Sequence, residues 1–289
     1  MRVAFQGESG AYSEAAVLEF FSSGRDVLFI EPVPHDSFDA VFASVQAGSC
    51  EYGLIPIENS LAGSIHRNYD LLLRHQLSIA GEYYLRVRHC LIVLPGVSLG
   101  EICKVISHPQ ALSQCEAFLS KLGLQAEPVY DTAGSVKMLS EQGDRTLAAI
   151  ASRRAAELYG MQILAEGIED SSTDELAANF TRFLVITPQS VANFVSPGDP
   201  TPGFKTSIVF TLRNTPGALF KALSVFALRD IDLTKIESRP LVDKLWQYLF
   251  YIDIAGSTAE PAVSHALDNL REYALTLRVL GSYPRHVLI

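Results

Sequence analysis

Asn179-Phe180-Thr181-Arg182-Phe183-Leu184-Val185-Ile186 is the stretch that decides how this chain is assembled. Residues 183–186 form an unbroken apolar run of strand length, while Asn179, Thr181 and Arg182 set an amide, a hydroxyl and a guanidinium at its mouth. A plain strand start needs none of these. A hydroxyl beside a guanidinium, carried by the rigid start of a strand, offers a proton donor next to an anion clamp and suggests chemistry on a carboxylated compound. The run follows two successive α/β units. It therefore reads as the strand that returns the chain to the first unit, with its polar mouth at a hinge and cleft where ligands commonly bind.

Upstream of it, strands at 3–6, 27–33 and 52–57 alternate with helices at 13–21 and 36–45, a βαβαβ order that implies a parallel sheet. After residues 77–85, strands are expected at 89–94, 104–107, 127–130 and 146–150, with helices at 109–122, 132–140 and 152–159. The expected fold class is thus α/β, with lobe 1 formed by about 1–80 plus 181–190 and lobe 2 by about 81–180. Residues 191–203 are rich in Ser, Pro and Gly and read as a linker. Beyond it, at 204–289, come a strand at 205–212, a helix at 216–227, strands at 232–237 and 245–254, a helix at 260–272 and a strand at 274–280. This is the βαββαβ order of a ferredoxin-like unit, with Pro216 suited to a first helical turn.

A chain of 289 residues with 48% hydrophobic content can bury two cores. No stretch approaches the roughly 18 to 20 unbroken apolar residues of a membrane span, so no membrane partner is expected. Residues 1–200 carry 13 Lys/Arg against 24 Asp/Glu, whereas residues 201–289 carry 10 against 8. An acidic first part argues against nucleic acid, whose affinity comes largely from cations at phosphates. It also gives an anionic substrate no bulk steering, leaving recognition to local donors. Cys50, Cys90, Cys103 and Cys115 show no metal-ligand spacing, so reduced thiols and no metal are expected. The first seven residues go straight into strand and turn without a charged leader, which points to a cytoplasmic protein.

Two further loops carry an excess of polar groups after strand ends. Pro56-Ile57-Glu58-Asn59-Ser60-Leu61-Ala62-Gly63-Ser64 supplies a carboxylate, an amide, two hydroxyls and a glycine whose backbone can approach a ligand; alternatively, Ser60 or Ser64 simply caps a helix. In Ser107-His108-Pro109-Gln110-Ala111-Leu112-Ser113-Gln114, Pro109 suits the first helical position, so Ser107 and His108 sit where backbone N–H groups favour an anion. The C-terminal unit has its own pair, Asn214-Thr215-Pro216-Gly217-Ala218-Leu219-Phe220 and Glu237-Ser238-Arg239-Pro240.

Taken in order, I-P-I-E-N-S-x-x-G at 55–63, S-H-P-Q at 107–110 with Gln114, N-F-T-R-F at 179–183, N-x-P-G-A-L-F at 214–220 and E-S-R-P at 237–240 resemble the motifs of monofunctional bacterial-type prephenate dehydratases with a C-terminal ACT regulatory domain. The resemblance spans nearly the whole chain. It implies a two-lobed periplasmic-binding-protein-like catalytic domain, and a lyase that converts prephenate to phenylpyruvate by losing carbon dioxide and the ring hydroxyl, without cofactor or metal. It implies that Thr181 assists the leaving hydroxyl and that Glu58, Asn59, Ser107 and Gln114 act in catalysis. Ser60, Gly63, Ser64, His108, Arg182 and Phe183 are candidates for binding substrate. An ionised Glu58 beside a dianion is repulsive, so it either accepts from a donor that orients Thr181 or Asn59 or is protonated in the closed cleft. The ACT resemblance implies allosteric L-phenylalanine at Asn214, Gly217, Ala218, Leu219, Glu237 and Ser238, and a homodimer or homotetramer formed through that domain. Arogenate dehydratase, acting on the amino analogue, is the nearest alternative. A non-enzymatic amino acid sensor is the more distant one.

Overall fold

A computed structural model describes residues 1–22, 29–170, 178–188, 203–241 and 247–286. The linker expected at 191–203 lies outside them except for Gly203, as do residues 27–28 and 245–246 of two expected strands. The chain divides into two compact units: Met1–Leu73 with Tyr83–Phe183, and Arg74–Glu82 with Leu184–Ile289.

In the first unit, β1 (Arg2–Gln6), α1 (Tyr12–Ser22), β2 (Glu31–His35), α2 (Phe38–Gln46) and β3 (Tyr52–Asn59) follow the expected alternation. β1 pairs in parallel with both β2 and β3, and its Val3, Ala4 and Phe5 are fully buried, as a strand covered on both faces requires. The segment at 58–64 is a tight hairpin: β4 (Gly63–Ser64) folds back antiparallel on β3, pairing Glu58 with Ser64. α3 (His66–Arg74) follows, a helix not foreseen from the sequence, and then β5 (Leu77–Arg86).

The second sheet of this unit has the order β10-β6-β9-β7-β8, built from β6 (Cys90–Val93), β7 (Lys104–Ser107), β8 (Gln125–Pro128), β9 (Leu147–Ala151) and β10 (Gln162–Glu166). β7 runs parallel to β8 and β9, whereas β6 is antiparallel to both β9 and β10, so the sheet is mixed. β10 went unforeseen, and β8 starts two residues before its expected position because Gly123 ends the preceding helix in a left-handed turn and Lys104 takes Gln125 as its partner. The helix expected over 109–122 is two: α4 (Pro109–Gln114) and α5 (Glu116–Leu122). The break falls at Cys115, whose φ of −118° is not helical. The cause is tertiary. Asp170 donates its N–H to the Gln114 carbonyl at 2.6 Å and accepts from the Ala117 N–H at 2.9 Å, replacing bonds a continuous helix would make. α4 and α5 pack on this sheet around a core that includes Leu91, Val93, Val105, Leu119, Ala148 and Ile150, and α6 (Thr132–Gln142) and α7 (Arg153–Leu158) follow along the chain. β11 (Phe180–Pro188) stands beside β3 in the first sheet, whose order is β2-β1-β3-β11-β5.

The second unit holds a four-stranded antiparallel sheet, β13-β14-β12-β15, with β12 (Phe204–Leu212), β13 (Leu233–Pro240), β14 (Tyr248–Ala255) and β15 (Ala274–Pro284). Two helices, α8 (Ala218–Ala227) and α9 (Pro261–Tyr273), share one core with it around Phe210, Phe226, Ile252 and Leu270. This is the expected βαββαβ order. Pro216 precedes α8 instead of starting it, because Gly217 stands at the N-cap with φ of +76°, outside helical geometry. Residues 74–82 join this unit through a buried pair in which Lys205 Nζ donates to both Glu82 oxygens at 2.8 and 2.7 Å, and through Arg278, which donates to the His75 and Leu77 carbonyls.

Within the first unit the loop before α1 is locked to α7. Ser152 Oγ donates to the Gly10 carbonyl at 2.6 Å, and Gly10 N–H donates to Glu14 Oε2, which also receives Arg154. Gly10 has φ of +93°, and a Cβ there would lie 2.9 Å from Ala155 Cα. Strain of this kind costs about 1–3 kcal/mol before the collision with backbone is added. Gly10→Ala should therefore lower the unfolding free energy from denaturant titration by an amount in or above that range, and an unchanged value would show that the loop gives way freely.

Candidate active site

A cavity of about 440 Å³ opens in the first unit, within the range of small-molecule sites. Strand ends and the starts of helices share its wall. Tyr12 and Ser13 open α1, Ser37 and Phe38 open α2, His108 and Gln110 open α4, and Asp131 and Thr132 open α6. Helix N-termini carry partial positive charge and exposed N–H groups, each worth about 0.3–1 kcal/mol to a nearby anion and up to about 2 kcal/mol when partly buried. Several of these N–H groups are already capped: Ser37 Oγ accepts from Ala40, His108 Nδ1 from Gln110 and Asp131 Oδ1 from Gly134. The dipoles remain, and Arg67 on the same wall adds a guanidinium beside the carboxylates of Asp36 and Asp131.

At the end of β3, Asn59 lies 6% exposed and its Nδ2 shares two hydrogens among Asn179 Oδ1 at 2.7 Å, Thr181 Oγ1 at 3.0 Å and the Phe180 carbonyl at 3.1 Å. Asn179 Nδ2 donates to Gln114 Oε1 at 3.0 Å, and the same oxygen lies 2.9 Å from His89 Nε2. Three of the motifs read from the sequence thus meet in one hydrogen-bonded cluster, and Asn59, Gln114, Thr181, His108 and Phe183 all line the cavity.

The remaining candidates are placed elsewhere. Thr181 and Phe183 alternate along β11 toward the cavity, so Arg182 falls on the other face, 4% exposed, with its guanidinium 6.0 Å from the Tyr84 ring centre. Glu58 stands in the same relation to Asn59 on β3 and is not on the cavity wall. Ser107 is fully buried and donates to the Ile150 carbonyl at 2.6 Å. Ser60 caps no helix: its Oγ donates to the Ala178 carbonyl and accepts from Phe180 N–H, tying the hairpin to β11. Gly63 and Ser64 form β4 and do not reach the wall. In the second unit, Asn214 and Gly217 are exposed before α8, Ala218 and Leu219 open that helix, and Glu237 and Ser238 lie on the edge strand β13 opposite Tyr251 and Phe250.

The family model for Prephenate dehydratase matches residues 3–191, and that for the ACT domain matches residues 206–272. The chain belongs to the prephenate dehydratase family. It is a dehydratase, hence a lyase, of phenylalanine biosynthesis. Arogenate dehydratase 2 of Petunia hybrida is 47% identical over 298 residues, covering 98% of this chain and 72% of that protein. Arogenate dehydratase/prephenate dehydratase 2, chloroplastic, of Arabidopsis thaliana is 48% identical over 293 residues, covering 98% and 73%. Among solved structures, the prephenate dehydratase from Arthrobacter aurescens in complex with L-Phe superposes with a TM-score of 0.85 at 29% identity, covering 99% of this chain and 90% of that one. A structure described as GqqA, a novel type of quorum quenching acylase, has the same TM-score at 34% identity, covering 99% and 98%.

Sequence reasoning overlooked several residues on the wall of this dehydratase, notably Gln6, Tyr12, Ser13, Arg67, His89, Tyr130 and Asp131. The signal for the first three was present in Gln6-Gly7-Glu8-Ser9-Gly10-Ala11-Tyr12-Ser13, a strand end followed by two glycines and a helix start. His89 and Asp131 gave no comparable sign. Burial pushes Asp131 up from the ordinary carboxylate range, with Glu8 adding to it. Burial lowers the basicity of His89, against the hydrogen bond to Gln114 and the Glu169 charge; His35 and His286 move the same way for the same first reason.

A histidine less basic in the folded chain than in the unfolded one contributes stability that is complete above the unfolded value, about 6.5, and is lost as the pH falls below it. Urea midpoints should therefore hold above about pH 6.5 and decline below it, less steeply in His89→Gln. A midpoint that rises on acidification would carry the wrong sign.

Proposed function

We propose that this chain converts prephenate to phenylpyruvate and is inhibited by L-phenylalanine held at its ACT domain. The observation that carries the first part is the Thr181 hydroxyl on the cavity wall, which accepts a hydrogen bond from Asn59 at 3.0 Å and so keeps its own hydrogen for a ligand. The reaction breaks the bond from the ring to its carboxylate, releasing carbon dioxide. That electron pair enters the ring, and the hydroxyl on the opposite ring carbon departs with its bonding electrons, leaving an aromatic product. Negative charge grows on the departing oxygen, and that is where a donor aimed in advance lowers the barrier. A threonine hydroxyl is too weak an acid to transfer its proton unaided, so Thr181 acts as a hydrogen-bond donor that Asn59 strengthens by polarisation. The converging helix starts hold the substrate's carboxylates, the task first assigned to Arg182.

The second reading is arogenate, whose side chain carries an ammonium where prephenate has a carbonyl. Two things favour it: the arogenate dehydratases of Petunia hybrida at 47–48% identity, and the Asp36 carboxylate on the cavity wall, which could receive that ammonium. The ratio of kcat/KM for the two compounds chooses between them. With the better one, Thr181→Ala should lower kcat roughly 10²- to 10⁴-fold while leaving KM nearly unchanged. An unaltered kcat would remove Thr181 from the mechanism.

The proposal for phenylalanine is supported by the L-Phe complex of the Arthrobacter aurescens relative and by the helix start at Gly217–Leu219, where a carboxylate can meet N–H groups. Leu219, Phe220 and Leu228 expose apolar surface on α8 and its end, which a second copy of the chain would cover in a homodimer or homotetramer. Phenylalanine should reduce kcat/KM by roughly 5- to 150-fold, the usual range of coupling between sites. Leu219→Asp, which sets a carboxylate against the ligand's own, should abolish that inhibition while the uninhibited rate persists. Equal inhibition of the variant would move the effector site elsewhere.

A further inference from the structure

The hydrogen-bond cluster beside the cavity has a direction, and that direction reaches two residues to which no role has been given, His89 and Tyr12. Asn59 Oδ1 accepts from the backbone N–H groups of Leu61 and Ala62 at 3.1 and 2.9 Å. Backbone nitrogens only donate, so the Asn59 amide has one workable orientation, with Nδ2 toward Asn179 and Thr181. Asn179 must then present Oδ1 to Asn59 and donate through Nδ2 to Gln114 Oε1. That oxygen can only accept, so His89 Nε2, 2.9 Å away, must carry a hydrogen. At the other ring nitrogen, Nδ1 lies 2.9 Å from the Tyr12 hydroxyl, which is also 2.8 Å from the Arg88 carbonyl. With a neutral ring, Tyr12 donates to Nδ1. With a protonated ring, Nδ1 donates to Tyr12, whose hydrogen then goes to Arg88. Tyr12 absorbs the difference, and everything from Nε2 to Thr181 keeps its sense in both states.

We propose that His89 is a positioning residue for the dehydration step: its Nε2–H, backed by Tyr12, holds the Gln114 amide, and through Asn179 and Asn59 keeps Thr181 an acceptor from the protein so that its hydrogen is aimed at the leaving oxygen. The geometry is that of a built device. His89 is 3% exposed and Asn179 1%, and the Tyr12 and His89 rings meet edge to face with centres 5.6 Å apart. The break between α4 and α5, made by Asp170, places Gln114 at the end of its helix, where its amide reaches both neighbours. Without a donor at Nε2, Gln114 could turn its NH2 toward the ring. Asn179 Nδ2 would then face another donor, and a reversed Asn179 would in turn face Asn59 Nδ2. Each reversal costs a buried hydrogen bond, so the chain holds or fails as a unit.

The inference rests on the reading of Thr181 given above, and the test separates the two. Nitrogen-15 NMR of histidine-labelled wild-type protein should show His89 with hydrogen on Nε2; a ring bearing hydrogen on Nδ1 alone overturns the chain whatever the activities are. His89→Phe should lower kcat roughly 10- to 100-fold, the scale of a small misplacement at a reacting centre, with little change in KM. In a Thr181→Ala background the same replacement should cost about twofold or less, because its effect runs through the missing hydroxyl. If the two losses multiply, His89 acts in some other way and the proposal fails. If Thr181→Ala alone leaves kcat intact, the reading of Thr181 fails instead. Should His89→Phe not fold, His89→Asn enters the same cycle.

Discussion

Two backbone N–H groups, those of Leu61 and Ala62, admit only one orientation of the Asn59 amide, and the working side of the cavity depends on that choice. Because a carboxamide has a distinct donor end and acceptor end, fixing one fixes its neighbour, and the constraint passes from Asn59 to Asn179 and on to Gln114. The hairpin that carries those N–H groups is itself tied to β11 by Ser60, so the strand bearing Thr181 and the loop that orients Asn59 are one construction. Such a network is useful only when complete. A buried polar group without its partner costs more than the bond was worth, which makes the cluster stiff and single-valued.

The cationic groups and dipoles of the cavity wall are not the ones its sequence suggests. Arg182 looks like the clamp, yet the pleat of β11 sends it away from Thr181, and its cation meets the Tyr84 ring. The cavity wall instead gathers the Arg67 guanidinium and the starts of four helices. Dipoles of this kind are fixed by the fold and need no mobile side chain, so they attract an anion without reorganising around it. They also coexist with carboxylates such as Asp131, which burial pushes toward its protonated form.

Local chemistry accounts for what could be read early. Alternation of apolar runs with amphipathic segments is enough for the α/β lobes and for the βαββαβ unit, because each element's period is written in its own residues. Asn59 and Thr181 stood out for a related reason, being polar groups at strand ends where plain structure does not ask for them, and Gln114 came with the family's motif. Other features escaped because their causes lie far along the chain. Gln114 ends a helix only because Asp170 takes its carbonyl, 56 positions away, and nothing near Cys115 announces a break. Gly217 pushes Pro216 out of α8 through a backbone angle that its neighbours do not reveal.

Glu58, Ser107 and Arg182 mark the same boundary from the other side. Their identities and spacing match the family's motifs, but whether a side chain faces a cavity or the opposite side of its strand is decided by pairing register and by the elements stacked on it. His89 is the reverse case: an ordinary residue before a strand that acquires its setting from Tyr12 and Gln114, 77 and 25 positions distant. By itself the sequence determined most of the elements in order, the two kinds of unit, the family and five residues on the cavity wall, since these follow from periodicity and from motif chemistry. Only the tertiary structure decided which way each polar group points, because hydrogen-bond direction is a property of partners that the chain brings together from remote segments.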